Sequence, residues 1–402
     1  MAYHALSCLS QETNSGRAGL GVARAIREGF GQQKLKTVVA YATVNHDQVA
    51  LLRGLREGLG PGVVVVGCSA QGVMTNNAVL EGGFAVAAMG LGGDSLRVAA
   101  ARTEAVHVEG RAKGQAMARA MVDQLDGPPR ATVLLYDPLR GVDVNELLAG
   151  VRAEITTPVV GGAASQPSGP VAATYQYHGE QALQGGAVAL GLAGDFGADL
   201  GVCHGTSPTG ISMTLTRAEG NRLLELDGRP ALDVWRECVG CDEDDILNQD
   251  HTAALAMGIE RHVIRNGRPE PVYFIRAAFG FDRAAKAVVV QAAIPQGSKI
   301  MFHHRTIQVV KDGTLAMGKE LRARLGDRRP WAVLGFECGA RTAPFLGAAD
   351  SIEENVQLQR QVAPHAPWLG LLAWGEIAPY AAEPGTEAEF HNYTYPLLVL
   401  SQ

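Results

Sequence analysis

One pair of cysteines stands at a spacing that supports thiol or metal chemistry. Cys238 and Cys241 form a Cys-x-x-Cys sequence, and His251 follows it. A structural zinc site takes four ligands, so one pair and one histidine leave a local site incomplete. A redox-active pair belongs at a helix N-terminus, whereas this pair follows the predicted helix 232–237. A zinc or thiol protein built on Cys238 and Cys241 is a minor alternative.

Two other cysteines stand where a predicted buried strand gives way to a turn. Gly67-Cys68-Ser69 ends one such strand, and Cys338 follows another, with Arg341 close behind. Such corners present backbone N–H groups beside a thiol or hydroxyl, which suits a ligand carboxylate. Arg341 can hold a carboxylate through two parallel hydrogen bonds. Ligand contact is predicted at both corners. The structural alternatives are tight packing of glycine and alanine at the first corner, and a buried core thiol with a salt bridge between Arg341 and Glu376 at the second.

The usual catalytic motifs do not occur in the sequence. It contains no Gly-x-Ser-x-Gly, no phosphate-binding loop and no Gly-x-Gly-x-x-Gly between a strand and a helix. The sequence therefore favours a binding protein over an enzyme. An enzyme that uses Cys338 or Cys68 as its nucleophile remains the rival class.

Composition excludes several other classes. The 402 residues are 47% hydrophobic and 19% charged, with a net charge of −6. No basic cluster exceeds Arg328-Arg329, so neither a nucleic-acid partner nor an anionic membrane surface is expected. The N-terminus lacks a signal-peptide pattern, no apolar run is long enough to span a bilayer, and six cysteines are few for this length. These features predict a cytoplasmic protein with reduced thiols.

The first half of the chain repeats itself. Five blocks return in the same order, at offsets from 94 (17 to 111) to 103 (82 to 185). Two copies of one unit commonly face each other across a seam, where ligand pockets form. The matched blocks are 15–18 with 109–112, Thr37–Tyr41 with Thr132–Tyr136, 51–56 with 147–152, 65–67 with 159–161, and 82–91 with 185–192.

Each copy alternates predicted helices and strands, and the second half of the chain echoes this order more faintly. The pattern predicts an α/β fold with mixed sheets and flanking helices. It also predicts an internally duplicated N-terminal half followed by a related C-terminal domain. The predicted domains are 1–205, with repeats of about 1–100 and 101–205, and 206–402.

The order of these blocks resembles the FIST proteins, sensory modules with FIST-N and FIST-C halves. The resemblance implies binding of a small ligand, with Cys338, Arg341, Glu376 and Asn392 in matching motifs and amino acids as suggested ligands. Ala340 departs from the bulkier residue that is common in the family. The matching pieces are Val66–Ala70, Glu225–Ala231, Phe336–Arg341, Gly375–Pro379 and Phe390–Thr394.

Some stand-alone bacterial members of this family are haem proteins that sense nitric oxide and control a partner histidine kinase. The resemblance therefore implies haem as a cofactor and a separate kinase as a partner. His204 lies between glycines that leave room for a flat group, and a neutral imidazole is a usual haem ligand. His178 and His391 are the other candidates.

The sequence thus predicts a small-molecule sensor in two α/β halves around a central pocket. Two ligands stay open: haem with nitric oxide, slightly favoured, and a carboxylate-bearing metabolite such as an amino acid. The predicted ligand-binding residues are Gly67, Cys68, Ser69, Cys338, Arg341, Glu376 and Asn392. The predicted cofactor-binding residues are His204, His178 and His391.

Overall fold

The computed structural model describes residues 3–167, 172–241, 254–265, 268–380 and 386–402. Its elements repeat one order three times: strand, helix, strand, helix and then four strands. The predicted α/β class with mixed sheets is confirmed, since parallel and antiparallel pairs occur in the same sheets. No helix in the described ranges has the length and apolar character needed to cross a bilayer.

The first unit covers residues 4–92. Its helices are amphipathic, and each begins at a capping side chain: Asn14 accepts a hydrogen bond from Arg17 N, and Asp47 accepts one from Ala50 N. The elements are β1 (His4–Ser10), α1 (Ser15–Phe30), β2 (Leu35–Thr43), α2 (Gln48–Leu59), β3 (Val64–Ala70), β4 (Gly72–Thr75), β5 (Ala78–Glu81) and β6 (Val86–Gly92).

The second unit covers residues 97–193 and repeats this order. Its strands are short apolar runs, and those that pair in the middle of the sheet are buried on both faces. The elements are β7 (Arg97–Thr103), α3 (Gly110–Leu125), β8 (Ala131–Tyr136), α4 (Val144–Arg152), β9 (Val159–Ala163), β10 (Gln176–His178), β11 (Gln181–Leu183) and β12 (Ala187–Ala193).

The third unit begins with β13 (Gly197–Cys203) and is then interrupted by an inserted sheet over residues 207–304. The long strands of this insertion pair in antiparallel ladders around one helix. Its elements are β14 (Ser207–Glu219), β15 (Arg222–Leu226), β16 (Arg229–Pro230), α5 (Ala231–Val239), β17 (Leu255–Arg265), β18 (Arg268–Arg276), β19 (Gly280–Asp282), β20 (Ala287–Val289) and β21 (Lys299–His304).

The third unit resumes directly after the insertion. A π-helical turn, Thr342–Leu346, separates its second strand from its second helix. The elements are α6 (Ile307–Leu325), β22 (Pro330–Cys338), α7 (Ala348–Val362), β23 (Trp368–Ala373), β24 (Glu376–Pro379), β25 (Ala388–His391) and β26 (Tyr395–Ser401).

The three units exchange hairpins in a closed ring. The sheet of the first unit, β1-β6-β2-β3, is extended by the second unit's hairpin β10-β11. The second unit's sheet, β7-β12-β8-β9, takes β24-β25 from the third. The third unit's sheet, β13-β26-β22-β23, takes β4-β5 from the first. Each six-stranded sheet therefore contains chain from two units.

The hydrophobic core has a central part and three outer parts. The inner faces of the three sheets meet in one shared cluster that includes Val66, Leu190 and Leu371. On its outer face each sheet packs against its own pair of helices, in three separate clusters. A further cluster lies within the inserted sheet around Trp235. Each of the three six-stranded sheets thus packs on both faces, as mixed α/β sheets require.

The predicted internal duplication with a related C-terminal domain is confirmed, and the faint echo in the second half is a full third repeat of the same element order. One matched block is wrong by one residue. Ala40 pairs with Gly67 and Leu134 pairs with Gly161. Since the two glycines hold the same place, the counterpart of Ala40 is Leu134, whereas the sequence match gave Leu135. A one-residue slip turns every side chain to the opposite face of the sheet.

Glycines let the helices of the first two units pack closely. A Cβ atom on Gly54 of α2 would lie 2.1 Å from the Gly16 carbonyl oxygen of α1. A Cβ atom on Gly150 of α4 would lie 2.0 Å from the Arg111 carbonyl oxygen of α3. The repeated sequence around Gly54 and Gly150 therefore encodes one backbone contact in both units.

Replacing Gly54 by alanine should destabilise the protein by about 1–3 kcal/mol, because the added methyl group overpacks two helix backbones. Gly21→Ala is the matched control: it lies in the same helix pair, and no atom lies within 4 Å of its added Cβ. That control should be neutral or stabilising by up to about 1 kcal/mol. Urea unfolding measures both, and equal stabilities for the two variants would contradict the packing argument.

Candidate functional site

A cavity of about 580 Å³ opens between the third unit and the inserted sheet. This volume lies in the range of small-molecule pockets. Its mouth carries two exposed apolar side chains, Phe279 and Ile307. The lining residues are Gln71, Ala277, Ala278, Phe279, Gln291, Thr306, Ile307, Cys338, Gly339, Ala340, Pro344, Phe345, Ala373, Trp374, Gly375, Asn392 and Tyr393.

Two predicted site residues, Cys338 and Asn392, line this cavity. Cys338 ends β22 and pairs with Ala373 at the end of the parallel strand β23, so both reach the same sheet edge. Asn392 stands between β25 and β26 and contacts the inserted sheet. Its Oδ1 accepts a hydrogen bond from Ala277 N at 3.1 Å, and its Nδ2 donates to Gln291 Oε1 at 3.1 Å.

Glu376 lies fully buried next to Cys338, and both residues bond to Thr394: Cys338 N donates a hydrogen bond to the Thr394 carbonyl oxygen at 3.0 Å. The Glu376 carboxylate accepts hydrogen bonds from Gly375 N at 3.2 Å and Thr394 N at 3.1 Å. Burial raises the pKa of Glu376 to about 8, although these hydrogen bonds oppose the shift. Burial first, and the Glu376 charge second, raise the pKa of the Cys338 thiol far above its ordinary value. The pair is therefore a neutral acid beside a neutral thiol at acidic pH.

Arg341 does not face the cavity. Its guanidinium lies 3.0 Å from Glu354 and 3.4 Å from Glu337, and it donates a hydrogen bond to Thr314 Oγ1 at 2.6 Å. All of these groups are buried. The alternative of a salt bridge between Arg341 and Glu376 is corrected: the carboxylate partners of Arg341 are Glu337 and Glu354. Arg341 therefore joins the third unit's helices to its sheet.

A different arginine lies directly behind the cavity wall. The Arg305 guanidinium lies 3.7 Å from the centre of the Tyr393 ring and 4.2 Å from that of Phe345. It also donates a hydrogen bond to the Ala340 carbonyl oxygen at 3.2 Å. These three contacts are all with lining residues. Burial lowers the pKa of Arg305 to about 10, so it remains charged at neutral pH.

The corner at Gly67, Cys68 and Ser69 is packed among the three units and lies away from the cavity lining. A Cβ atom on Gly67 would lie 1.7 Å from the Ala40 carbonyl oxygen, and Cys68 is fully buried in the shared core. Ser69 Oγ donates a hydrogen bond to the Ser165 carbonyl oxygen at 3.2 Å. This corner therefore holds the first unit against the second through Ser69, and a ligand contact there stays a prediction.

The candidate haem histidines lie outside the cavity lining. His204 and His391 have ring centres 5.1 Å apart, and Tyr380 and Phe274 stack on them. Burial lowers the pKa of His204 to about 3, and its Nε2 has no hydrogen-bond partner among the described residues. His178 lies on β10, away from both.

A porphyrin needs an axial imidazole that points into a space large enough for its plane. The free nitrogen of His204 fits an iron ligand, but neither His204 nor His391 lines the cavity, and other rings cover both imidazoles. The two imidazoles therefore lie apart from the cavity that could hold a porphyrin. These residues as arranged do not fit haem, and no chemistry is assigned to them through it.

Cys238 and Cys241 lie at and just after the C-terminal end of α5, both half-buried against the core of the inserted sheet. His251 lies outside the described residues. Within the described ranges, no three histidine, cysteine or acidic side chains are placed to hold a metal ion. The zinc or thiol role stays a prediction.

Sequence reasoning missed most of the polar and aromatic lining side chains, among them Gln71, Gln291 and Trp374. Trp374 Nε1 donates a hydrogen bond to Gln71 Oε1 at 3.0 Å, and Gln71 Nε2 donates to the Gly339 carbonyl oxygen at 3.2 Å. A signal for Gln71 exists: it lies three residues beyond Cys68, at the place that Trp374 occupies in the third unit, because Gly67 and Gly370 hold equivalent register positions.

The raised pKa of Glu376 gives a test through pH. The folded protein keeps a proton that the unfolded chain releases near pH 4.5. The free energy of unfolding should therefore fall as pH rises from about 5 to about 8, and level off above that range. Glu376→Gln should reduce this slope by about 1.4 kcal/mol per pH unit, the contribution of one proton.

Urea unfolding at several pH values measures the slope. Glu337, whose pKa burial also raises to about 8, remains in the variant and keeps part of the slope. Glu320→Gln, on the exposed side of α6, is the control and should leave the slope unchanged. Identical slopes in Glu376→Gln and the wild type would show that Glu376 is already ionised in the folded protein.

Comparison with known proteins agrees with this architecture. The chain is 25% identical over 375 residues to the uncharacterized protein Rv0628c of Mycobacterium tuberculosis, covering 91% of this chain and 92% of that protein. It is 26% identical over 209 residues to the uncharacterized protein Mb0898c of Mycobacterium bovis, and this match spans about half of that relative, 52%.

Family models match nearly the whole folded body. Residues 36–229 match the FIST N domain, and residues 231–379 match the FIST C domain. FIST domains are sensory domains of signal transduction that bind small ligands. The chain belongs to the FIST family, with both domains present.

Proposed function

We propose that this chain is a sensory protein whose small ligand occupies the cavity between the third unit and the inserted sheet. The observation that carries the proposal is the cavity itself. It has the volume of a small-molecule pocket, and the family motifs around Cys338 and Asn392 meet there. A second cavity, of about 500 Å³ beside the N-termini of α3 and α4, is lined by paired charges such as Arg111 and Glu146.

The lining favours a flat, largely apolar ligand that carries carbonyl or carboxylate oxygens. Trp374, Phe345 and Tyr393 supply aromatic surface. An amide nitrogen has two N–H donors. Asn392 Nδ2 and Gln291 Nε2 each donate one hydrogen bond within the protein, which leaves one donor on each for a ligand.

Charge supports the same ligand class. None of the described residues that line the cavity is an acid, a lysine or an arginine. Arg305 lies behind the wall and gives the cavity a positive potential. A carboxylate-bearing metabolite, such as an amino acid, is thus the favoured form of the proposal, with Arg305 in the place that the sequence gave to Arg341.

The output of such a sensor depends on the contact between two bodies. The cavity is shared by the third unit and the inserted sheet, and Asn392 joins them by hydrogen bonds to Ala277 and Gln291. A ligand that binds one arrangement of these parts better than another shifts their equilibrium. We propose that a separate signalling protein, such as a histidine kinase, responds to this shift.

A thermal-shift screen of amino acids and aromatic carboxylates tests the ligand proposal. A ligand at about 100 times its Kd adds about 2.7 kcal/mol to the free energy of unfolding, which is an easily measured rise in Tm. Ala340→Phe should abolish the rise, because the added ring occupies the cavity. Ala284→Phe, on an exposed turn of the inserted sheet, should keep it. A rise that survives in Ala340→Phe places the ligand elsewhere.

Haem with nitric oxide is the alternative to this proposal, and a hemin titration tests it. The resemblance to haem-binding members and the His204 Nε2, which has no hydrogen-bond partner among the described residues, favour this alternative, whereas the position of His204 outside the cavity lining opposes it. Because His204 and the cavity are separate, we expect no sharp Soret band that depends on His204. A band that moves with nitric oxide and is lost in His204→Ala, but kept in the exposed control His107→Ala, would contradict this expectation.

A further inference from the structure

The cavity contains a nucleophile, a proton acceptor and hydrogen-bond donors in one place. Cys338 is 5% exposed and lines the cavity, and the fully buried Glu376 lies behind it: Thr394 N donates a hydrogen bond to the Glu376 carboxylate at 3.1 Å, and the Thr394 carbonyl oxygen accepts one from Cys338 N at 3.0 Å. Burial and Glu376 raise the pKa of the Cys338 thiol, and the nearby backbone N–H groups of Ala340 and Tyr393 act in the opposite direction. No ligand-binding role that depends only on shape needs this arrangement.

We propose that Cys338 is a covalent anchor for a carbonyl electrophile, such as an aldehyde, that enters the cavity, with Glu376 as its proton carrier. This inference rests on the cavity as the ligand site and adds a reaction to it. The ligand class is consistent with the spare amide donors of Asn392 and Gln291, which suit a carbonyl oxygen.

The reaction is a reversible addition. The Cys338 sulfur forms a bond to the carbonyl carbon, the π bond of the carbonyl breaks, and its electron pair moves to oxygen. The thiol proton passes to the Glu376 carboxylate and from there to the new alkoxide, which gives a hemithioacetal. Glu376 ends unchanged, and nothing is oxidised or reduced. The step is a form of nucleophilic catalysis with an adjacent base.

Two features favour the transfer. As the proton leaves, negative charge develops on sulfur, and the N–H groups of Ala340 and Tyr393 stabilise it. The positive charge of Arg305 lowers the pKa of Cys338, in opposition to burial and Glu376. Both favour a transient thiolate in a site where burial keeps the resting thiol protonated.

The addition should depend on pH through Glu376. With a pKa of about 8, Glu376 holds its own proton below that value and cannot accept the thiol's proton. The groups that face it are Cys338 from β22, Tyr136 from β8 and, at longer range, Arg341. Reactivity at Cys338 should therefore rise as pH increases through about 8.

The wild-type protein contains a matched control thiol. Cys203 is 6% exposed, close to the exposure of Cys338, but it does not line the cavity. The test is labelling with iodoacetamide at pH 8.5, followed by peptide mass spectrometry. Cys338 should be modified about tenfold faster than Cys203, because the cavity lets the reagent reach its sulfur and the adjacent Glu376 can accept its proton. Equal rates would overturn the proposal.

Benzaldehyde tests the ligand class, and benzyl alcohol is the control of the same shape without a carbonyl. Benzaldehyde should slow labelling of Cys338 and leave Cys203 unaffected, whereas benzyl alcohol should protect neither. With carbonyl-labelled ¹³C-benzaldehyde, NMR should show a hemithioacetal carbon that is absent in Cys338→Ser. Equal protection by the alcohol, or no hemithioacetal signal in the wild type, would overturn covalent attachment.

Glu376→Gln separates the proton carrier from the thiol. It should remove the rise of Cys338 labelling through pH 8 while circular dichroism shows an intact fold. If that variant fails to fold, the pH profile of wild-type labelling decides: a rise centred near 8 supports Glu376, and a flat profile overturns its role. Ligands that raise Tm equally in the wild type and Cys338→Ser, with no selective labelling, overturn this inference and leave the sensory function standing.

Discussion

The exchange of hairpins around a ring is the constraint on which the rest of the structure depends. Each sheet gains its last two strands from another unit, through β10-β11, β24-β25 and β4-β5. A hairpin alone is marginal in water, and a sheet edge left open is a liability. No unit can therefore complete its own sheet. At the junction Ser165 Oγ accepts a hydrogen bond from Gln71 N and donates one to the Leu372 carbonyl oxygen, so one hydroxyl touches all three units.

The third unit differs from the others at the sheet edge where the cavity lies. In the first unit Thr43 Oγ1 donates a hydrogen bond to the Gly83 carbonyl oxygen at 2.8 Å. At the same place in the second, Asp137 Oδ2 accepts one from Gly185 N at 2.6 Å. Both bonds hold the turn before the last strand. Cys338 occupies this place in the third unit, where the inserted sheet covers it and leaves a space. The cavity thus arises where the inserted sheet interrupts the third of the three repeated units.

Sequence reasoning identified the features that depend on neighbouring residues in the chain. The helix contacts at Gly54 and Gly150 recur with the same neighbours, so the repeat between the first two units is legible. The third copy is split by the insertion. Gly318 of α6 also meets side chains of α7 instead of its backbone, so the sequence of the third copy resembles the other two only faintly. The hairpin exchange leaves no local signal, because any hairpin sequence fits either sheet. The sequence places Arg341 after the end of a strand, but its direction depends on Thr314 and Glu354 of the two helices, which local pattern does not reveal.

Burial of charge in the third unit is not a requirement of the fold. At the place of Glu337 the first unit has Ala42 and the second has Tyr136, as the register of the parallel strands shows. Buried ion pairs seldom stabilise more than well-packed apolar groups of similar volume. Two units build the same sheet without a carboxylate there, so stability alone does not account for Glu337 or its partner Arg341. In the third unit Arg341 instead joins α6 and α7 to β22, the strand that ends at Cys338 in the cavity lining, so these charges fix the position of the strand that carries the thiol.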